Sequence, residues 1–132
     1  MSSNSAPGYI NHPNHRVRIV PAKLHVEVAF AGTVIATSDR ALLVDESRHD
    51  PVYYIPRSDV LMSALTPTDH STYCPFKGHA RYWTLQVGDR IEENSVWAYD
   101  APYDEALPLQ GCVAFYSDRV QVHTSPAASE PE

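Results

Sequence analysis

The chain has 132 residues, 43 % of them hydrophobic and 20 % charged, with a formal net charge of −6 and a pI near 5.5. That balance suits one ordered domain with a genuine core. The scattered Lys and Arg do not form the concentrated basic surface that nucleic acid or an anionic membrane requires.

No apolar run approaches the ~20 residues of a bilayer span, and the opening Met-Ser-Ser-Asn-Ser-Ala-Pro-Gly lacks the basic and apolar regions of a signal peptide. The expected location is therefore the cytoplasm. Residues 1–15 and 124–132 are polar and rich in Ser, Pro, Asn or Glu, and read as flexible tails around a single core domain over residues 16–123. His12 and His15 fall in the first tail and read as solvated.

From Arg16 onward the pattern is β. Residues 16–20 alternate and Pro21 breaks them. Leu24, Val26, Val28 and Phe30 then share one face of a strand, and Ala31-Gly32 turns it into Thr33–Thr37 as a hairpin. Short strands follow at 41–45 and 52–55. Pro56 to Leu65 carries Val60, Leu61, Ala64 and Leu65 at helical spacing, which predicts one short helix that Thr66-Pro67 ends. Residues 80–87 alternate, and Gly88-Asp89 leads into a returning strand over 90–99, interrupted near Glu93-Asn94. A loop over 101–108 has room for one helical turn. Residues 111–116 and 119–123 close the fold as a hairpin about Ser117-Asp118. Many short strands with frequent turn signals predict a mostly β domain built from antiparallel sheets.

The densest chemistry lies in Asp69-His-Ser-Thr-Tyr-Cys-Pro-Phe-Lys-Gly78. Cys74 can be a nucleophile or redox thiol activated by His70 or Lys77, or a small buried hydrophobe. Lys77, beside Gly78, can hold an anionic group, and Arg57 after Pro56 is a second anchor; each can equally sit in a surface salt bridge, for instance with Asp59 or Asp69. His70 can be a base or can bond the loop around it. Eight Tyr against three Phe favour aromatic groups whose hydroxyls find partners. With only two cysteines and no CxxC, no structural zinc is expected, and the cofactor is unknown. Cys74 and Cys112 read as free thiols, with a single disulfide as the alternative.

Val52-Tyr-Tyr-Ile-Pro-Arg-Ser-Asp59, Thr72-Tyr-Cys-Pro-Phe-Lys-Gly78, Ala80-Arg-Tyr-Trp83, Val96-Trp-Ala-Tyr99 and Gly111-Cys-Val-Ala-Phe-Tyr116 resemble, in order and spacing, the domain-of-unknown-function 427 family. The resemblance covers the whole core. It implies a β-tent (Mss4-like) arrangement, two antiparallel sheets pinned at one edge, similar to methionine-R-sulfoxide reductases and the ligand-binding domain of cereblon. Some members carry a nucleotidyltransferase label, but the Gly-Ser dipeptide of that signature is missing here.

The leading functional expectation is a small polar or anionic organic ligand in an aromatic-lined pocket formed by Tyr54, Arg57, Tyr73, Lys77, Trp97 and Tyr99, with His70 beside it. The alternatives are an enzyme using Cys74 with His70 and Lys77, and an interaction module or homodimer working through an exposed sheet edge.

Overall fold

The computed structural model describes residues 4–126, so the parts of both expected tails at 1–3 and 127–132 lie outside the described residues. After one helical turn, α1 (Gly8–Asn11), ten strands follow: β1 (Val17–Pro21), β2 (Leu24–Phe30), β3 (Thr33–Ser38), β4 (Leu42–Glu46), β5 (Val52–Pro56), β6 (Leu65–Cys74), β7 (Gly78–Val87), β8 (Arg90–Ala98), β9 (Cys112–Phe115) and β10 (Gln121–Pro126). They form a seven-stranded sheet, β1-β4-β5-β9-β8-β7-β6, and a three-stranded sheet, β10-β2-β3, with every pair antiparallel. The protein is mostly β, in a β-tent-like arrangement.

Alternation places the two cores. On the seven-stranded sheet, Ile55, Trp83, Leu85, Val96, Val113 and Phe115 join Val26, Val28, Phe30 and Ile35 of the three-stranded sheet in one cluster. Their neighbours one residue along face the other way. Tyr54, Tyr82, Tyr99, Cys112 and Ala114 gather there with Val44, Ala106 and Leu109. The period of two thus splits Tyr54 from Ile55, and Tyr82 from Trp83, onto opposite faces.

Three expectations need correction. The helix over 56–65 is instead two 3₁₀ turns, Arg57–Asp59 and Met62–Ala64. Between them Val60 is extended (φ −117°, ψ 139°), is buried and bridges Ala36. Burying Val60 against β3 outweighs the weak helical tendency of Arg-Ser-Asp, whose Asp59 is held by Ser38 and Arg40. The final hairpin also fails to form. All four residues of β9 are buried and its two edges are filled by β5 and β8, so β10 crosses over and pairs with the open edge of β2. Finally, residues 65–74 form a long strand where a helix end and a loop were expected. β6 is an edge strand, mostly exposed, with Pro67 and a register shift between Pro67 and Ser71, so it lacks the apolar alternation that marks a half-buried strand.

The β2–β3 hairpin forms as expected, with Ala31 (φ 51°) and Gly32 (φ 79°) both left-handed, the twist that suits a two-residue turn. The expected interruption of β8 is a register shift opposite Asn94 (φ 52°). Residues 4–15, read from sequence as tail, lie against the domain. The Ala6 amide donates to Glu105 Oε1 at 2.8 Å, and the Gly8 amide to the Pro75 carbonyl at 3.0 Å.

Gly78 opens β7 at φ +122°, where a Cβ would meet the Ala101 carbonyl oxygen at 3.4 Å. Gly78→Ala is therefore expected to cost about 1–3 kcal/mol of unfolding free energy, read from urea denaturation. An unchanged midpoint would mean that the β6–β7 turn relaxes freely.

Candidate functional site

β5 pairs with β9 at only two positions, Ile55↔Val113 and Pro56↔Cys112. Upstream of that joint, Val52–Tyr54 stay with β4 while Ala114 stays with β8. The seven-stranded sheet therefore divides into two wings, β1-β4-β5 and β9-β8-β7-β6, and a cavity of about 540 Å³ occupies the wedge between them. Its walls include Val44, Val52 and Tyr54 from the first wing, Tyr82, Trp97 and Tyr99 from the second, and Val26, Val28 and Val122 from the three-stranded sheet. The exposed His49, Asp50, Pro51, Tyr116 and Ser117 form its mouth.

Two contacts span the wedge. The Trp97 indole Nε1 donates to the Tyr54 hydroxyl at 3.0 Å, with the two ring planes at 89°. Lys77, in the β6–β7 turn and only 6 % exposed, ion-pairs through Nζ with Glu46 Oε1 at the end of β4. The other Glu46 oxygen lies 2.8 Å from His15 Nε2, and the His15 ring stacks on Phe76 at 3.8 Å. His15 is thus a half-buried hydrogen-bond partner of Glu46, which corrects its reading as a solvated residue. Burial alone would raise the Glu46 carboxyl, but the hydrogen bonds from Lys77 and His15 outweigh it and hold the group below its ordinary value.

Three phenols of the cavity, Tyr54, Tyr99 and Tyr116, titrate above their ordinary value. Burial pushes Tyr54 well up, against the hydrogen bond from Trp97, and burial followed by the proximity of Tyr54 does the same to Tyr99. Tyr116 is pushed up to about 12 by burial and by its contact with Tyr82. The Tyr82 hydroxyl lies 3.0 Å from Thr72 Oγ1 and 3.5 Å from the Tyr116 hydroxyl. Among the described residues neither the Tyr99 hydroxyl nor the Cys74 thiol makes a hydrogen bond, although both residues line the cavity. Those two groups are open to a guest.

Five of the expected site residues come together here: Tyr54, Cys74, Lys77, Trp97 and Tyr99. Three do not. Arg57 stands over the Trp83 ring at 5.0 Å and pairs with Asp100, which also takes Arg81 at 3.4 Å. Its partner is neither Asp59 nor Asp69. Tyr73 is 48 % exposed and bonds Tyr103 hydroxyl to hydroxyl at 2.7 Å. His70 is exposed on β6 with its ring 4.5 Å from that of Tyr82. It lies outside the cavity, four residues before Cys74 on a strand, which separates the two by roughly 13 Å. Both cysteines are free, and burial raises the Cys112 thiol.

Glu46, His49, Asp50, Tyr82 and Tyr116 complete the site and were not singled out from sequence as ligand-binding residues. Tyr82 carries a readable signal, since it alternates with Trp83 on a clear strand. Glu46 to Asp50 read only as a charged loop. No group of three or more His, Cys, Asp or Glu side chains among the described residues is placed to hold a metal ion, and no helix among them is long and apolar enough to cross a membrane.

A comparison with curated proteins gives no match. Residues 18–125 match the family model described as a domain of unknown function, DUF427, and the chain belongs to that family.

Proposed function

We propose that the protein binds a small polar organic molecule in the wedge between its two wings. The observation that carries this reading is the cavity itself. At about 540 Å³ it falls within the range of small-molecule sites, and it presents an apolar and aromatic wall with the Tyr99 hydroxyl and the Cys74 thiol unpartnered. A merely structural void would be expected to close, or to satisfy its polar groups internally.

The pairing of Lys77 with Glu46 removes the free cation on which capture of an anion would depend. The polar, rather than the anionic, form of the ligand expectation is the one supported. Cys74 as a catalytic thiol has weaker support, because His70 lies outside the cavity and no hydrogen bond reaches the sulfur among the described residues.

The test is a thermal-shift screen of polar metabolites on the whole chain, with hits checked by native mass spectrometry. A ligand at one hundred times its Kd should add about 2.7 kcal/mol of stability. Trp97→Leu, which removes a wall and a cross-contact, should lose that gain. A hit that stabilises both chains equally, or a screen with no hit at millimolar concentration, would count against the reading.

A further inference from the structure

Within that ligand-binding reading, on which it rests, we infer that the guest is an organic cation, an ammonium group on a small carbon skeleton, held by the aromatic walls Tyr54, Trp97, Tyr99 and Tyr116 with Asp50 at the mouth.

The charges on the cavity wall come first. Its carboxylates are Glu46 and Asp50, and its one Lys or Arg is Lys77. Lys77 is committed to Glu46, so the Lys–Glu pair is neutral as a unit. Asp50 is exposed and makes no ion pair among the described residues. An anionic guest would find no free Lys or Arg, only the His49 imidazole next to Asp50 at the mouth, and would meet a carboxylate at the entrance. A cationic guest meets a favourable potential, reinforced by the chain's net charge of −6.

The rings come second. Tyr54 and Trp97 stand at 89° to one another and are fixed by the hydrogen bond between them, which makes a rigid corner of two π systems. Tyr99 lies 6.5 Å from Tyr54, and Tyr116 lies 4.5 Å from Trp97, so four rings line one continuous wall. Each is a neutral phenol or indole with an electron-rich face, and such faces attract alkylammonium groups within about 6 Å. Tyrosine is neutral at physiological pH, and burial moves Tyr54, Tyr99 and Tyr116 further from ionisation. The unpartnered Tyr99 hydroxyl offers a hydrogen bond to a polar group elsewhere on the same guest.

The probes are two charge-differing pairs of matched shape, choline against 3,3-dimethylbutan-1-ol and acetylcholine against 3,3-dimethylbutyl acetate, with 3,3-dimethylbutanoate as the anion. Binding to the full chain is followed through the indole N–H resonances of Trp83 and Trp97. The expected result is that the Trp97 signal moves, and that at least one cation binds about tenfold or more tightly than its neutral partner. Asp50→Asn should weaken the cation several-fold and leave the neutral compound unchanged.

Equal affinity within both pairs, preference for the anion, or no movement of Trp97 with any probe would each overturn the cation assignment. Binding of a neutral or anionic compound as tightly as, or more tightly than, its cationic counterpart would overturn the assignment and leave the cavity reading standing. Silence towards these probes together with an empty metabolite screen would end both.

Discussion

Lys77→Met is expected to lower the unfolding free energy by about 3 kcal/mol, measured by urea denaturation at neutral pH. The side chains of Lys77 and Glu46 are 8 % and 11 % exposed, so the variant strands a carboxylate that solvent hardly reaches. His15 stays as its remaining partner, which places the cost at the lower end for a broken buried pair. The double variant Lys77→Met with Glu46→Leu should recover much of the loss, because it removes the stranded charge as well. A double variant no better than Lys77→Met alone would show that the loss comes from packing and not from the carboxylate.

The same pair makes a pH prediction. The Glu46 carboxyl in the folded chain sits below its ordinary value of 4.5, so the unfolded chain binds protons first as pH falls. The stabilisation is complete above about 4.5 and drains away as pH drops through the lower folded value. Asp59, held down by hydrogen bonds from Arg40 and Ser38, contributes with the same sign below its own ordinary value of 3.8. The comparison is therefore between chains. Wild type should lose stability more steeply on acidification than the double variant, in which Glu46 no longer titrates.

The second large effect is at the joint between the wings. Ile55 is 1 % exposed and pairs with Val113, which is fully buried. Ile55→Ala removes three carbons from a site that cannot collapse without separating β5 from β9, and about 3–4 kcal/mol of stability should go with them. Ile55→Val should cost about 1 kcal/mol. If Ile55→Ala costs less than its valine counterpart, the joint is softer than its burial indicates. Where the variant still folds, hydrogen exchange of the Arg57 amide, which donates across the joint to the Gly111 carbonyl at 3.0 Å, should speed up relative to β7.

The strands with a half-buried face were legible from sequence because alternation reports burial directly. β2 and β7 carry that signal most clearly. β6 was hidden for the complementary reason. An edge strand with Thr, Asp, His and Ser on both faces satisfies its backbone through β7 alone and needs no apolar stripe. The partner of β10 was equally hidden, because adjacency in sequence favours a hairpin while the occupied edges of β9 forbid one.

At the site, the tyrosines were visible as a class, but the partner of Lys77 was not. Glu46 lies 31 residues away on the opposite wing, and nothing local distinguishes it from a solvated acid. Arg57 and Tyr73 lie outside the cavity because the motif containing each runs on past its wall, to Asp100 in one case and Tyr103 in the other.

The two-pair joint between β5 and β9 has a mechanical consequence. It is placed like the pivot of a clothes peg: any rotation at Ile55 and Pro56 would be a larger displacement at the far ends of the jaws. Two ties are set out along the arms, the Tyr54–Trp97 hydrogen bond and the Glu46–Lys77 ion pair. One tie is neutral and buried; the other dissolves when its carboxylate takes a proton.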